Sequence, residues 1–230
     1  MNAERELKVL AGEVRACRKC PRLANYREQV AREKRRAFRE WTYWGRGVPG
    51  FGDPKAKLFI LGLAPAAHGG NRTGRVFTGD RSGDFLFQAL YEAGFANQPT
   101  STNREDGLQL RNAYIAAAAR CAPPANKPLP TEIQNCRGYL QAELAILKPK
   151  VILALGRIAW DAYLDLLRNE GKIASRAAYP FGHGAEFVMP GGERLVGIYH
   201  PSQQNTQTGR VTPAMYREVL RSIRGYLDSP

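Results

Sequence analysis

Two segments of this chain carry side chains able to do chemistry. The first, GLAPAAHGGNRTGRVFTGD over 62–80, is a loop of glycines and small residues that holds His68, Asn71 and Asp80 and one aromatic, Phe77, able to cover a planar ligand. The second, IYHPSQQNTQTGR over 198–210, supplies His200, Ser202 and Asn205. A loop whose backbone amides are unshielded, with an aromatic and an imidazole nearby, is equipped to hold a small ligand by a few placed hydrogen bonds. Gly69 and Gly74 have the spacing of a phosphate-binding P-loop, but Arg75 and Val76 stand where Lys and Ser or Thr are required. That argues against nucleoside triphosphate binding. A histidine before proline, as at His200, is commonly a strand terminator, so its weight rests on where the fold puts it.

The second chemical feature is a set of four cysteines. Cys17 and Cys20 have two residues between them, and Cys121 and Cys136 lie far downstream with fourteen residues between them. In a reducing compartment this arrangement favours thiolate ligation of a metal over disulfides. Four thiolates close a tetrahedral zinc site or hold one iron-sulfur cluster, and spacing does not separate the two. Both neighbourhoods, Cys-Arg-Lys-Cys-Pro and Arg-Cys-Ala-Pro-Pro, are polar and turn-prone, unlike those of cysteines buried as apolar residues. Such a centre would tie the N-terminal helix to the loop after a central strand, which points to a structural role.

Four apolar runs read as buried strands: 57–63, 113–119, 151–155 and 194–199. The second is alanine-rich and could be helical, but Tyr114, Ile115 and its short length favour a strand. Helices are predicted over 4–16, 82–94, 131–147, 157–170 and 213–227. Asp80 and Ser82 are of capping type, and Thr131 with Gln134 spaces a capping box. The charge run REQVAREKRRAFR over 27–39 reads mainly as a solvated helix face, so Arg32, Lys34, Arg35, Arg36 and Arg39 are only modest evidence for a nucleic-acid contact. WTYWGRGVPGFGDP reads as a loop, because its glycines precede a strand instead of following one. FGHGAEFVMPGGERL, with His183, reads as a small hairpin or loop beside the last strand. Strands alternating with helices predict an α/β fold with a four-stranded parallel sheet covered on both faces, and both chemical segments then fall at carboxyl ends of strands, where open sheets bind ligands.

The chain has 230 residues, 43% of them apolar, which suits one sizeable core; the expectation is a single domain over 1–230 whose helical part, 1–56, carries two of the cysteines. No apolar run could span a bilayer, and MNAERELKVL reads as a charged helical start, so no membrane is expected and the expected location is the cytoplasm, beside the nucleoid. Lys and Arg total 34 against 21 acidic residues, a net charge of +13 that suggests a polyanionic partner, nucleic acid first.

GLAPAAHGGNRTGRVFTGDRSGD, RCAPPANKP, FGHGAE and HPSQQNTQTGR, in this order and with the four cysteines, resemble the family 5, or B-type, uracil-DNA glycosylases, over Cys17 to about Met215. The resemblance implies a three-layer α/β/α fold, removal of uracil from DNA to leave an abasic site, and a four-iron four-sulfur (4Fe-4S) cluster on Cys17, Cys20, Cys121 and Cys136. It implies that Gly62, Ala64, Ala66 and Ala67 line the base pocket, that Phe77 stacks on the flipped base and that His200 contacts it. Related families carry Asp, Asn or Glu in the first motif, where Leu63, Ala64 and Ala66 are apolar, and the alanines at 116–119 cover the place of a base-reading Asn.

Without a carboxylate in that motif, catalysis is expected to rest on stabilising the departing base as an anion, with His200 donating a hydrogen bond and loop amides helping. His68, Asn71 and Asp80 are the candidates to guide the water, and Asp80 equally suits a helix cap. Asn205 is expected at the base, and Ser202, Gln203, Gln204 and Arg210 on the DNA, in a loop that enters the duplex. A pocket with few polar readers implies a wider range of deaminated bases, hypoxanthine among them, in double- and single-stranded DNA, with the enzyme a monomer. The alternative is a non-enzymatic, metal-stapled nucleic-acid-binding protein. A zinc deaminase is disfavoured because its H-x-E and P-C-x-x-C signature is missing.

Overall fold

A computed structural model describes residues 2–229. The four apolar runs form parallel strands: β2 (Leu58–Gly62), β3 (Ala113–Ala117), β4 (Val151–Leu155) and β6 (Arg194–Ile198). The sheet has six strands, not four. β1 (Phe51–Gly52) adds antiparallel to β3, and β5 (Glu186–Val188) adds antiparallel to β6, giving the order β1-β3-β2-β4-β6-β5. Both additions fall in stretches that read as loop or hairpin, because two- and three-residue strands are too short to show a period of two. The β5–β6 pair is the hairpin form of that second stretch. The alanine run is a strand, and Ala118 and Ala119 still pair beyond it, to Gly62 O and Leu63 O.

All five positions of β2, β3 and β4 are buried, as expected of strands covered on both faces. Their alternation divides the core. Ile60, Ile115, Leu153 and Ile198 face α4 (Arg81–Glu92) and α8 (Pro213–Asp228), whereas Phe59, Leu61, Ile152 and Leu195 face α5 (Pro130–Leu147) and α6 (Arg157–Asn169). This is the expected three-layer α/β/α arrangement. α1 (Ala3–Ala16) packs on α5 through Leu10, Val14 and Tyr139, and α2 (Pro21–Glu33) follows directly after the first two cysteines. Among the described residues, no helix is long and apolar enough to cross a membrane.

Several boundaries differ from the sequence expectation. α5 begins at Pro130 instead of using Thr131 and Gln134 as a capping box: proline supplies the helical φ at the first position, and Glu132 reaches back to the Leu129 amide at 2.7 Å. The charge run is not one helix. It breaks at Lys34, whose φ is 54°, and resumes as a short turn at Arg36–Phe38. Arg27, at its start, is not solvated but 2% exposed.

Immediately before Cys121, Arg120 is sealed in the core against Glu143 of α5, with Nη1 donating to Oε1 at 2.8 Å and both side chains at most 2% exposed. Removing one partner of such a pair strands the other charge out of water. Glu143→Ala is therefore expected to lower unfolding free energy by about 3–5 kcal/mol, read by urea denaturation of the two proteins side by side.

Candidate active site

Beyond β2 the chain passes through Leu63–Gly69, makes one helical turn, α3 (Gly70–Thr73), and reaches Phe77. Phe77 has a φ of 50°, in the left-handed region that bulky residues avoid. The buried Arg75 holds it there, donating to Thr78 Oγ1 at 2.9 Å, Ser101 Oγ at 2.8 Å and Asp106 Oδ2 at 2.7 Å. Burial pushes the Asp106 carboxyl up, but hydrogen bonds from Arg75 and three backbone amides outweigh it and hold it below its ordinary value. The strained backbone is thus over-determined by its surroundings. Gly62 makes room for the ring, since a Cβ there would lie 2.6 Å from Phe77 Cε2. Gly69 does the same for Asp80, where a Cβ would meet Oδ2 at 2.1 Å.

At the carboxyl ends of β2, β3 and β6 lies a pocket of about 480 Å³. Its apolar walls are Leu63, Ala64, Ala66, Val76 and Ala117, the last from the alanine run. Phe77 and His200 adjoin within it, their ring centroids 5.8 Å apart and tilted by 36°. Asp80, Ser202, Gln203 and Gln204 complete the expected members. Burial lowers the His200 pKa to about 4, so the imidazole is neutral at physiological pH and presents one N–H as a donor. Among the described residues, the amides of Ala66 and Ala67 have no intramolecular acceptor, which leaves them free for a ligand.

Asp80 caps α4, its Oδ1 accepting from Gly83 N at 3.0 Å, as its residue type suggested. Burial raises its pKa. The other water-guiding candidates are elsewhere. His68 lies in an adjoining groove with Nδ1 3.1 Å from the Tyr43 hydroxyl. Asn71 is fully buried, its Nδ2 donating to Arg27 O at 3.1 Å, so its side chain serves the scaffold instead of the pocket. Ala67 borders the groove, and Gly62 sits behind the Phe77 ring.

The stretch after His200 is not an open loop. Ser202 caps a five-residue helix, α7 (Gln203–Gln207), and Asn205 turns back to donate to His200 O at 2.8 Å. Asn205 therefore positions His200 and does not face the pocket. Arg210 lies over the Tyr199 ring at 5.1 Å. Asn126 and Arg81 border the pocket without having been singled out from sequence, and Ser82, read there only as a capping type, borders it too. For Asn126 the available signal was an Asn in a proline-rich turn, where its φ of 56° is tolerated.

The four cysteines are all free thiols, Cys121 and Cys136 buried, Cys17 and Cys20 partly so. Burial pushes Cys121 up to about 11, with Cys17 and Cys136 in its field, and Cys136 also feels Cys20. Shared partners bring the four together, since Arg27 bridges Cys17 O and Cys121 Sγ, Arg120 beside Cys121 donates to Cys136, and Asn135 beside Cys136 donates to Cys20. Yet among the described residues no three His, Cys, Asp or Glu side chains converge tightly enough for a single ion. Donors surround the sulfurs: Arg27 Nη1 to Cys121 at 2.8 Å, Asn135 Nδ2 to Cys20 at 3.4 Å and Arg120 N to Cys136 at 3.5 Å. Arg27 Nε has no hydrogen-bond partner and the nearest carboxylate, Glu28, is 3.9 Å from Nη2, so negative charge on deprotonated thiols would help to compensate this buried cation. The residues fit a multinuclear, thiolate-bound group.

Residues 49–224 match the model of the uracil DNA glycosylase superfamily. The chain is similar to a type-5 uracil-DNA glycosylase of Thermus thermophilus, 52% identical over 91% of this chain and 93% of that one. It is similar to type-5 uracil-DNA glycosylases of Mycobacterium bovis, 49% identical over 92% of this chain and 78% of that one, and of Pyrobaculum aerophilum, 47% identical over 89% and 86%.

The close approach at Gly62 makes a sharp test. Gly62→Ala must push the Phe77 ring aside, and we expect a loss of about 1–3 kcal/mol in urea unfolding; in Gly62→Ala/Phe77→Ala, where the ring is absent, the same methyl should cost less.

Proposed function

The chain belongs to the uracil DNA glycosylase superfamily, and on that footing we propose that it is a type-5 uracil-DNA glycosylase, which hydrolyses the N-glycosidic bond of uracil in DNA and leaves an abasic site. The observation that carries this reading is the small-walled pocket in which Phe77 and a neutral His200 adjoin. Chemistry on a base requires its extrusion from the stack, and a planar ring seated there meets an aromatic face and a hydrogen-bond donor. As the bond to C1′ breaks, its electron pair leaves with uracil and the sugar takes on cationic character; water then adds to C1′ and gives up a proton. The N–H of His200 and the free amides of Ala66 and Ala67 stabilise the oxygen on which the leaving charge collects. That contribution grows with charge separation, so it favours the transition state over bound DNA.

Of the three candidates for guiding water, Asp80 alone borders the pocket, and we assign that role to its carboxylate beside Gly69. The exposed Gln203 and Gln204 of α7 are the side chains free to enter the duplex, because Ser202 and Asn205 are already committed to the cap and to His200. Apolar walls reject other planar bases poorly, since discrimination comes from buried polar groups left unpaired by the wrong ligand. Hypoxanthine should therefore be excised as well as uracil, from single- and double-stranded DNA, by a monomer acting on chromosomal DNA in the cytoplasm. A purely binding protein would leave this pocket without an occupant, which disfavours the alternative.

The four cysteines are assigned to a 4Fe-4S cluster, which supplies a rigid cross-link among α1, α2, the segment after β3 and α5, and no step of the hydrolysis. The buried Arg27, which donates to Cys121 while its Nε has no partner, supports this. Anaerobically purified protein should carry about four iron and four sulfide per chain, with Cys136→Ala losing both and melting earlier; about one zinc and no sulfide would contradict the assignment.

Single-turnover cleavage of duplexes holding one uracil or hypoxanthine tests the activity. His200→Ala should slow release of either base by about 10²–10³-fold. Because the His200 pKa is lowered to about 4, the neutral donor persists on both sides of pH 6.5, so the rate should show no step from a histidine titrating near that pH. Absence of abasic sites on every substrate would overturn the reading.

A further inference from the structure

Beside the base pocket runs a second, wider groove of about 830 Å³, into which the pocket opens. The two share Ala66, Asp80, Arg81, Asn126 and Gln203 as common wall. The far wall of the groove is aromatic and comes from the segment after α2. Phe38 and Trp41, edge to face at 6.3 Å, both pack on the guanidinium of Arg72, whose Cζ lies 3.9 Å from the first ring centroid and 4.0 Å from the second. Arg72 is itself pinned, donating through Nε to His68 O at 2.7 Å and through Nη2 to Gly79 O at 2.8 Å. It is 4% exposed, its Nη1 has no partner, and burial lowers its pKa. A cation held this way is a poor anchor for surface charge but a firm clamp for two aromatic side chains. The exposed guanidinium groups of Arg35 and Arg81 border the same groove, and the partly exposed rings of Trp41 and Phe38 face a space that nothing in the chain fills.

Strand geometry requires the nucleotide next to an extruded one to leave the pocket over one of its rims. The rim formed by Ala66, Asp80 and Arg81 leads into this groove. Resting on the reading of the pocket as the uracil site, we propose that the groove is a second nucleotide subsite: it takes the unstacked nucleotide adjacent to uracil, its base against the Trp41 and Phe38 wall and its phosphate near Arg35 and Arg81. Every base has a face to stack, so the subsite is indifferent to sequence and serves single-stranded DNA, where no unpairing opposes it. The clamp by Arg72 orders the wall before DNA arrives, which removes part of the cost of binding.

The test is equilibrium binding, by fluorescence anisotropy, of short single strands carrying a non-cleavable uracil analogue. The nucleotide on its 5′ or its 3′ side is either adenosine or an abasic spacer. Wild type should lose about tenfold in affinity when the spacer stands on one side and little when it stands on the other. Trp41→Ala should bind the adenosine strand about as weakly as wild type binds the spacer strand, and should lose nothing further with the spacer. Trp41→Phe should keep most of the difference. Arg35→Ala, an exposed site with little bearing on folding, should weaken both strands alike and reduce the salt slope by about one. A wild type indifferent to the spacer on both sides, or a Trp41→Ala protein that loses the same factor with both neighbours, would overturn the subsite. Cleavage of uracil by wild type is scored separately, so failure of the glycosylase reading is distinguishable from failure of the groove.

Discussion

The guanidinium of Arg27 has been taken almost wholly out of water and set between Cys121 Sγ, at 2.8 Å, and Cys17 O, at 2.9 Å, while the carbonyl of the same residue accepts from Asn71 Nδ2 at 3.1 Å. Burying a cation is costly unless negative charge and hydrogen bonds compensate it. The nearest carboxylate, Glu28, is 3.9 Å away and partly exposed, so it compensates only in part, and thiolates at the proposed cysteine centre would supply the rest. One residue thereby joins three parts of the molecule that are distant in sequence: the cysteines that end α1, the cysteine after β3, and the loop after β2. Asn71 carries the connection into that loop, its backbone N–H donating to Ala66 O at 3.0 Å and its carbonyl accepting from Gly45 N at 3.1 Å, while the carbonyl of Arg72 accepts from Trp44 N at 2.9 Å. The position of the Ala66 and Ala67 amides is set from beneath by this network.

Above it, the pocket is built by leaving things out. Small side chains on the β2 loop and at the end of β3 keep its walls apolar, and glycines at 62 and 69 let Phe77 and Asp80 approach closer than any Cβ would allow. The same apolar surroundings desolvate His200 and keep it neutral, so a single environment sets both the weak selectivity proposed among bases and the protonation state of the group proposed to meet the leaving base. Polar side chains that look free in sequence are consumed in holding these parts: Asn205 on the His200 carbonyl, Ser202 on the α7 cap, Arg75 on the turn around Phe77.

What could be read from sequence follows from the range of the interactions concerned. The four parallel strands were legible because three are fully buried apolar runs and the fourth is one after its first residue, Arg194, and their carboxyl ends located both Phe77 and His200 on one rim. The two edge strands were not, being two and three residues long, and the start of α5 was misread because Pro130 with Glu132 does the work assigned to Thr131. Asn71 could be recognised as a polar residue in the right loop, but its direction is decided by Arg27, 44 residues earlier. The aromatic wall of the second groove was illegible for a similar reason: Phe38 and Trp41 acquire their geometry only from Arg72, which arrives by tertiary contact.

The central claim is that uracil leaves against a neutral, desolvated imidazole. NMR titration of ¹⁵N-labelled protein reads that state directly through the His200 ring nitrogens, with His200→Gln used to assign the signal. The account predicts that His200 stays neutral on acidification until about pH 4. Protonation of His200 near its ordinary value of about 6.5 would contradict it.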